Sequence, residues 1–236
     1  MIARILIPVV VFTLLPYLWI YKRYGKLRLK SLWQRVLFWM PALVVIAYSA
    51  YITMLPNFLP RNPVLVDIWF VMMAVCAVPQ FVFSLFSVFG WCCMRLLHGH
   101  RNWGKLLGLV VGALAFFCFI YGFTEGFPKM QVKRITIYVP NLPKSFEGYR
   151  IVQFSDIHLG SYYGWRGHLP QRDIDSINAE KPDLICFTGD LQNVTPDELP
   201  KYQALLSSLK ARDGVMSVLG NHDYTYYMDV DDEQEI

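Results

Sequence analysis

Charge is scarce in this sequence: 17% of its 236 residues are charged while 55% are hydrophobic, and that balance excludes an ordinary soluble domain for the whole chain. The net charge of +4 is modest and the basic residues sit beside hydrophobic stretches. They leave no face that could follow a phosphate backbone, so nucleic acid is not an expected partner. Cysteine is sparse too. Cys76, Cys92, Cys93 and Cys118 lie in or beside apolar runs and Cys186 within a predicted buried strand, a pattern that excludes a disulfide framework. Internal repeats and low-complexity tracts are missing. No small residues suited to a cleavage site follow the first apolar run, which disfavours a removed signal peptide.

Long apolar runs are what the chain does have. Residues 3–21 are almost wholly apolar, enough to cross a hydrocarbon layer that takes about 20 helical residues. Further spans are expected at about 36–55, 64–85 and 106–123, making a four-helix transmembrane region of residues 1–127. Pro79 predicts a kink in the third span, whose freed carbonyl a neighbouring helix or water must satisfy. Gly104, Gly108 and Gly112 recur at every fourth residue, so the fourth span should let another helix approach its backbone closely. Trp33, Trp39, Trp91 and Trp103 fall near span ends, where amphipathic rings anchor among membrane lipids.

Orientation follows from the basic residues. The loop after the first span carries Lys22, Arg23, Lys26, Arg28, Lys30 and Arg35, and the loop after the third carries Arg95, Arg101 and Lys105. Between the second and third spans there is only Arg61. Short basic loops stay in the cytoplasm, so both chain ends are expected outside it. Lys129, Lys133 and Arg134 pull weakly the other way.

From residue 128 onward the composition is that of a water-soluble domain. Alternation over residues 131–139 predicts a half-exposed strand, ended by Pro140 and Pro143. A strand at 150–154, a helix at 169–179, an apolar strand at 183–188, a helix at 196–210 and a strand at 214–219 follow. Asp197 and Glu198 lie in the favourable acidic first turn of the second helix. Strands alternating with helices imply βαβ units and a largely parallel sheet, whose ligands gather beyond the carboxyl ends of the strands.

Three strands deliver polar clusters to that edge: Ser155-Asp156-Ile157-His158, then Thr188-Gly189-Asp190, then Leu219-Gly220-Asn221-His222-Asp223. Carboxylates, imidazoles and an amide oxygen suit a divalent ion such as Mn, Fe or Zn. Asp156 and His158 can share one ion, because a single intervening residue lets both leave a turn in the same direction. Gly189 and Gly220 allow tight turns close to the ions, and Asp190, with two oxygens, is placed to bridge a pair. Each cluster alone reads as a strand-end turn. Three in this order, each after a predicted strand, read as a metal site. His168, in a polar loop before a helix, reads as a solvated or helix-start residue, and His98 and His100 as solvated loop residues.

The order Asp-x-His, Gly-Asp, Gly-Asn-His-Asp resembles the signature of the calcineurin-like metallophosphoesterase superfamily, and residues 141–160 resemble its bacterial membrane-anchored branch. The likeness covers about residues 134–224. It implies an α/β sandwich of that type, residues 128–236 forming its N-terminal part, and a bacterial inner or cell membrane as the location. By the same resemblance Asp156 and His158 hold one divalent ion, Asp190 bridges to a second, and Asn221 holds the second. His222 would protonate or stabilise charge, with Asp223 orienting it. The implied reaction is hydrolysis of a phosphate monoester, diester or pyrophosphate, lipid-linked esters among them, by in-line attack of a metal-bound hydroxide.

In the superfamily pattern a further histidine and then Gly-His-x-His follow Gly-Asn-His-Asp. Neither appears after Asp223, where an acidic tail occupies residues 229–236. The expectation is a C-terminally truncated domain with an incomplete second metal site and an uncovered sheet face. Three functions stand side by side. The first is a membrane-anchored phosphoesterase. The second is an inactive fragment acting as a binding protein, or completed by a separate chain that supplies the C-terminal half. The third is a transporter or channel, against which counts the lack of any centrally placed charge in the spans.

Overall fold

Residues 3–55 and 62–224 are described by the computed structural model; Arg61 and the acidic tail at 229–236 lie outside the described residues. By its contacts the chain divides into two compact units, Met1–Phe127 and Pro128–Ile236.

The first unit is helical: α1 (Ala3–Ile20), α2 (Leu32–Thr53), α3 (Pro63–Met72), α4 (Val78–Leu96) and α5 (Gly104–Tyr121), with π-helical turns at Tyr21–Gly25, Met73–Ala77 and Gly122–Gly126. Together these make four apolar rods able by length and composition to cross a membrane: Ile5–Gly25, Leu32–Thr53, Pro63–Leu96 and Gly104–Gly126. The third is longer than expected. Its 34 residues reach about 51 Å at 1.5 Å per residue, against a hydrocarbon core of about 30 Å, so it must tilt or project. Local sequence sets the helix starts. Ser31 Oγ accepts the Gln34 N–H at 3.2 Å while Gln34 Oε1 accepts the Ser31 N–H at 3.2 Å, a capping box. Asn62 Oδ1 accepts the Val64 N–H at 3.0 Å, with Pro63 in the first turn of α3.

The turn before Pro79 opens into the π-helical stretch Met73–Ala77, and the Cys76 carbonyl there accepts the Tyr17 hydroxyl of α1 at 3.1 Å, a bond between neighbouring helices. Other polar groups are also paired across helices: Trp19 Nε1 donates to Ser87 Oγ at 3.1 Å and Trp69 Nε1 to Ser49 Oγ at 2.9 Å. The glycines of α5 do what their spacing predicts. A Cβ on Gly104 would run into the Phe86 carbonyl of α4, and one on Gly108 would lie 2.8 Å from the Phe83 carbonyl, so the two backbones meet where side chains would otherwise hold them apart.

The second unit holds a three-stranded parallel sheet in the order β1 (Ile151–Phe154), β2 (Leu184–Phe187), β3 (Val215–Ser217). Helix α6 (Leu169–Ala179) connects β1 to β2. Its apolar side buries Leu169 and Ile174 completely, as Ile185 of β2 is buried. Beneath the carboxyl ends of the strands, Ile157, Leu159, Phe187 and Tyr202 form a core packed by Phe154, Leu191 and Leu199.

Two expectations are corrected here. Residues 131–139 form no strand: they pair with none of the three strands, and Ile135, Ile137 and Tyr138 are exposed. The segment is held instead by its side chains, Arg134 forming a two-point ion pair with Glu180. The helix expected at 196–210 is two 3-10 turns, Pro196–Glu198 and Pro200–Tyr202, followed by the short α7 (Gln203–Leu206). Pro200 has no N–H to donate and crowds the preceding turn, so the α-helix cannot run through it.

Candidate metal centre

Because the three strands are parallel, the loops that follow them leave the same edge of the sheet. The first loop zips onto the second: the Asp156 N–H donates to Gly189 O at 2.9 Å, His158 N–H to Asp190 O at 3.1 Å and Leu159 N–H to Leu191 O at 2.9 Å. Ile157 and Leu159 turn into the core, which leaves the alternate residues Asp156 and His158 at the surface of the edge. The second and third loops approach backbone to backbone. A Cβ on Gly189 would collide with Gly220, and one on Gly220 with Asp190. Gly189 also has φ +103°, so its freedom is needed for the turn as well as for the close approach.

Asp156, His158 and Asp190 all have positive φ, at 54°, 44° and 63°. That region costs a residue with a Cβ roughly 1–2 kcal/mol, and such strain gathers at functional sites. Here it sets Asp156 and Asp190 each beside His158. His158 Nδ1 lies 3.1 Å from the Gln192 carbonyl. A carbonyl only accepts, so Nδ1 carries the proton and Nε2 presents its lone pair. That nitrogen stands 3.9 Å from Asp156 Oδ1 and 4.0 Å from Asp190 Oδ2. Those separations are too long for hydrogen bonds and suit donors around a cation held at about 2.0–2.2 Å from each. The donor set therefore fits a divalent metal.

His222 stands edge-on to His158, ring centroids 4.6 Å apart, and its Nδ1 lies 2.7 Å from the Asn193 carbonyl. His158, Asp190 and His222 each place a ligand atom within 4.8 Å of the others. The sequence leads to a protonating or charge-stabilising part for His222; the structure brings it within ligand distance of His158 and Asp190 as well. Asp190, 8% exposed, accepts the His222 N–H on Oδ1 at 2.9 Å, leaving Oδ2 toward His158. Asn221 is exposed beside His222. His168 is exposed at the start of α6, and His98 and His100 are exposed in the loop between α4 and α5.

Asp223 differs from expectation. Its carboxylate accepts the N–H groups of Asp190 at 2.7 Å, Gly220 at 2.9 Å, Leu191 at 2.9 Å and Gln192 at 3.2 Å. Burial by itself pushes this carboxyl up, but the backbone donors, Gly220 foremost, outweigh it and hold the group below the usual carboxylate range. Asp223 thus fastens the second loop to the third, and the group that orients His222 is a backbone carbonyl, which fixes a tautomer as a carboxylate would. The residues missed in the sequence are Gln192 and Asn193, whose carbonyls face the two histidines. No side-chain pattern announces a carbonyl's direction; the signal nearest to hand was Thr195-Pro196-Asp197-Glu198, a capping-box spacing.

Comparison with known proteins bears on both units. Residues 3–127 match the family described as "Probable Calcineurin-like phosphoesterase, transmembrane domain", and residues 149–235 match "Calcineurin-like phosphoesterase". An uncharacterized metallophosphoesterase of Helicobacter pylori is 26% identical over 91% of this chain and 58% of its own length. The uncharacterized metallophosphoesterase YkuE of Bacillus subtilis is 42% identical over 39% of this chain and 32% of its own. The UDP-2,3-diacylglucosamine pyrophosphatase LpxG of Chlamydia trachomatis is 37% identical over 42% of this chain and 30% of its own. The chain thus spans between about a third and somewhat over half of the length of these relatives. No solved structure matches it significantly.

Proposed function

Because the chain belongs to the calcineurin-like phosphoesterases that carry a transmembrane domain, we propose that it is a membrane-anchored, metal-dependent hydrolase of phosphate esters, with Asp156, His158 and Asp190 as its first metal ligands. The observation that carries this reading is the lone pair of His158 Nε2, set 3.9 and 4.0 Å from two carboxylates. A bound divalent ion such as Mn, Fe or Zn supplies Lewis acidity toward phosphate oxygens and a more acidic water as nucleophile. Asp190 would be shared with a second ion held by Asn221. His222, its Nδ1 proton committed to Asn193 O, would turn Nε2 toward the phosphate and, once that nitrogen is protonated as well, offset charge on the leaving oxygen. Asp223 would act by holding the loops of Asp190 and His222 in register.

The likeness to a pyrophosphatase of a diacylated sugar nucleotide supports a phosphate ester or diphosphate on a membrane component as substrate. The basic loops after the first and third spans favour a hydrolase unit outside the cytoplasm. A second reading has an inactive chain whose domain is completed by another polypeptide. It is favoured by Val215, Met216, Val218 and Leu219, apolar residues left exposed on and after β3.

The test is hydrolysis of an aryl phosphate diester and monoester by the full chain in detergent with added Mn. Turnover that needs the metal and is abolished by Asp190→Ala supports the first reading. Mn binding without turnover, with turnover appearing only on addition of a second polypeptide, supports the second. Turnover indifferent to metal and to Asp190→Ala overturns both.

A further inference from the structure

The two histidines of the centre are oriented by consecutive carbonyls, Gln192 O on His158 Nδ1 at 3.1 Å and Asn193 O on His222 Nδ1 at 2.7 Å. Two successive carbonyls can face one cluster only if the N–H groups of that stretch find acceptors of their own. Those of residues 190–192 go to Asp223. The next three converge on one side chain. Glu198 Oε2 accepts the Asn193 N–H at 2.6 Å, and Oε1 accepts Val194 N–H at 2.9 Å and Thr195 N–H at 3.3 Å. An acidic residue placed by sequence in the first turn of a helix therefore works chiefly on the loop before that turn. The same carboxylate fills the space beside Gly160, two residues beyond His158, where a Cβ would run into it.

We propose that Glu198 is a positioning residue for the metal centre: by collecting the N–H groups of Asn193, Val194 and Thr195 it fixes the carbonyls of Gln192 and Asn193, and through them the Nδ1-protonated forms of His158 and His222. It touches neither substrate nor metal. The proposal rests on reading the cluster as a metal centre, and Gly160 is part of the same device, its missing Cβ making room for the carboxylate.

The experiment uses the full chain in detergent with isotope-labelled histidine. Long-range proton–nitrogen correlations assign the tautomer of each of the five imidazoles above the ordinary histidine titration range; Mn affinity and thermal unfolding are measured alongside. The wild type should show two imidazoles locked with the proton on Nδ1. Glu198→Ala should release both and weaken Mn binding about tenfold, as loss of outer-shell support does. Glu198→Gln, which keeps one acceptor oxygen, should fall between. Gly160→Ala, which displaces the carboxylate without changing charge, should act like Glu198→Ala. Asn178→Ala, which removes contacts to Ser208 O and the Lys210 N–H and leaves the loop alone, sets the scale for mere destabilisation and should keep both locked tautomers. Locked tautomers and unchanged Mn affinity in both Glu198→Ala and Gly160→Ala would overturn the proposal. A wild type that shows locked tautomers, released by Glu198→Ala, yet binds no Mn would count against the metal reading and leave the positioning role standing.

Discussion

Asp156, His158 and Asp190 hold a backbone conformation that only glycine adopts freely, and each does so where a loop leaves the sheet. At Asp156 the side chain is 66% exposed, so backbone strain can be separated from packing. Asp156→Gly should be more stable than Asp156→Ala by about 1 kcal/mol, the reverse of the usual order, because alanine keeps the left-handed penalty and glycine removes it. Chemical denaturation of the metal-free variants checks this; Ala equal to or above Gly would show that the strain is not there. Asp223 offers a second test. Asp223→Ala leaves four backbone N–H groups without their acceptor and should cost about 2 kcal/mol or more, since one buried unmet donor already costs about 1–3 kcal/mol. A smaller loss would mean that water replaces the carboxylate there. The ligand types and their order were legible in the sequence because Asp156, His158 and Asp190 declare their chemistry by residue type. The parts played by Gln192, Asn193 and Glu198 were not, since they depend on where backbone groups point after folding.

Helices α4 and α5 show how far an element can be read from spacing. Gly104, Gly108 and Gly112 announced a close approach, and the structure sets them against the backbone of Phe86, Phe83 and Pro79. Gly108→Val should therefore force these helices apart and lower the midpoint of thermal unfolding in detergent by several degrees, whereas Gly122→Ala, with nothing within 4 Å of the new Cβ, should leave it unchanged. Equal effects would mean that helix propensity, not packing, governs these positions. Spacing misled in the second unit. Alternation at 131–139 is a property of one segment, but a strand needs a partner, and these residues pair with none of the three strands. Pro200 was visible all along, yet the acidic first turn and the apolar residues around it concealed the break.

At the scale of the whole molecule, the four apolar spans were evident from composition because crossing a membrane is a matter of length and hydropathy. Sidedness rests on fewer residues. On the proposed topology, the basic loops holding Lys22 to Arg35 and Arg95 to Lys105 stay in the cytoplasm by the positive-inside rule, and the C-terminal unit lies outside it. In a chain whose five native cysteines are replaced by serine, Ser145→Cys should react with a membrane-impermeant maleimide in intact cells, and Lys26→Cys only after permeabilisation. The opposite pattern would invert the topology and place the substrate in the cytoplasm. The third span, at 34 residues, outran its expected end because α4 runs on through Trp91 and Arg95 to Leu96, none of residues 86–96 being a proline that would stop it.

The central claim is that the loops after β1, β2 and β3 form a metal centre, and electron paramagnetic resonance of Mn bound to the full chain tests it most directly. The account predicts a bound Mn signal coupled to imidazole nitrogen, the coupling lost in His158→Ala and the bound ion lost in Asp190→Ala. A bound signal indifferent to both substitutions, or no binding by the folded wild-type chain, would contradict it.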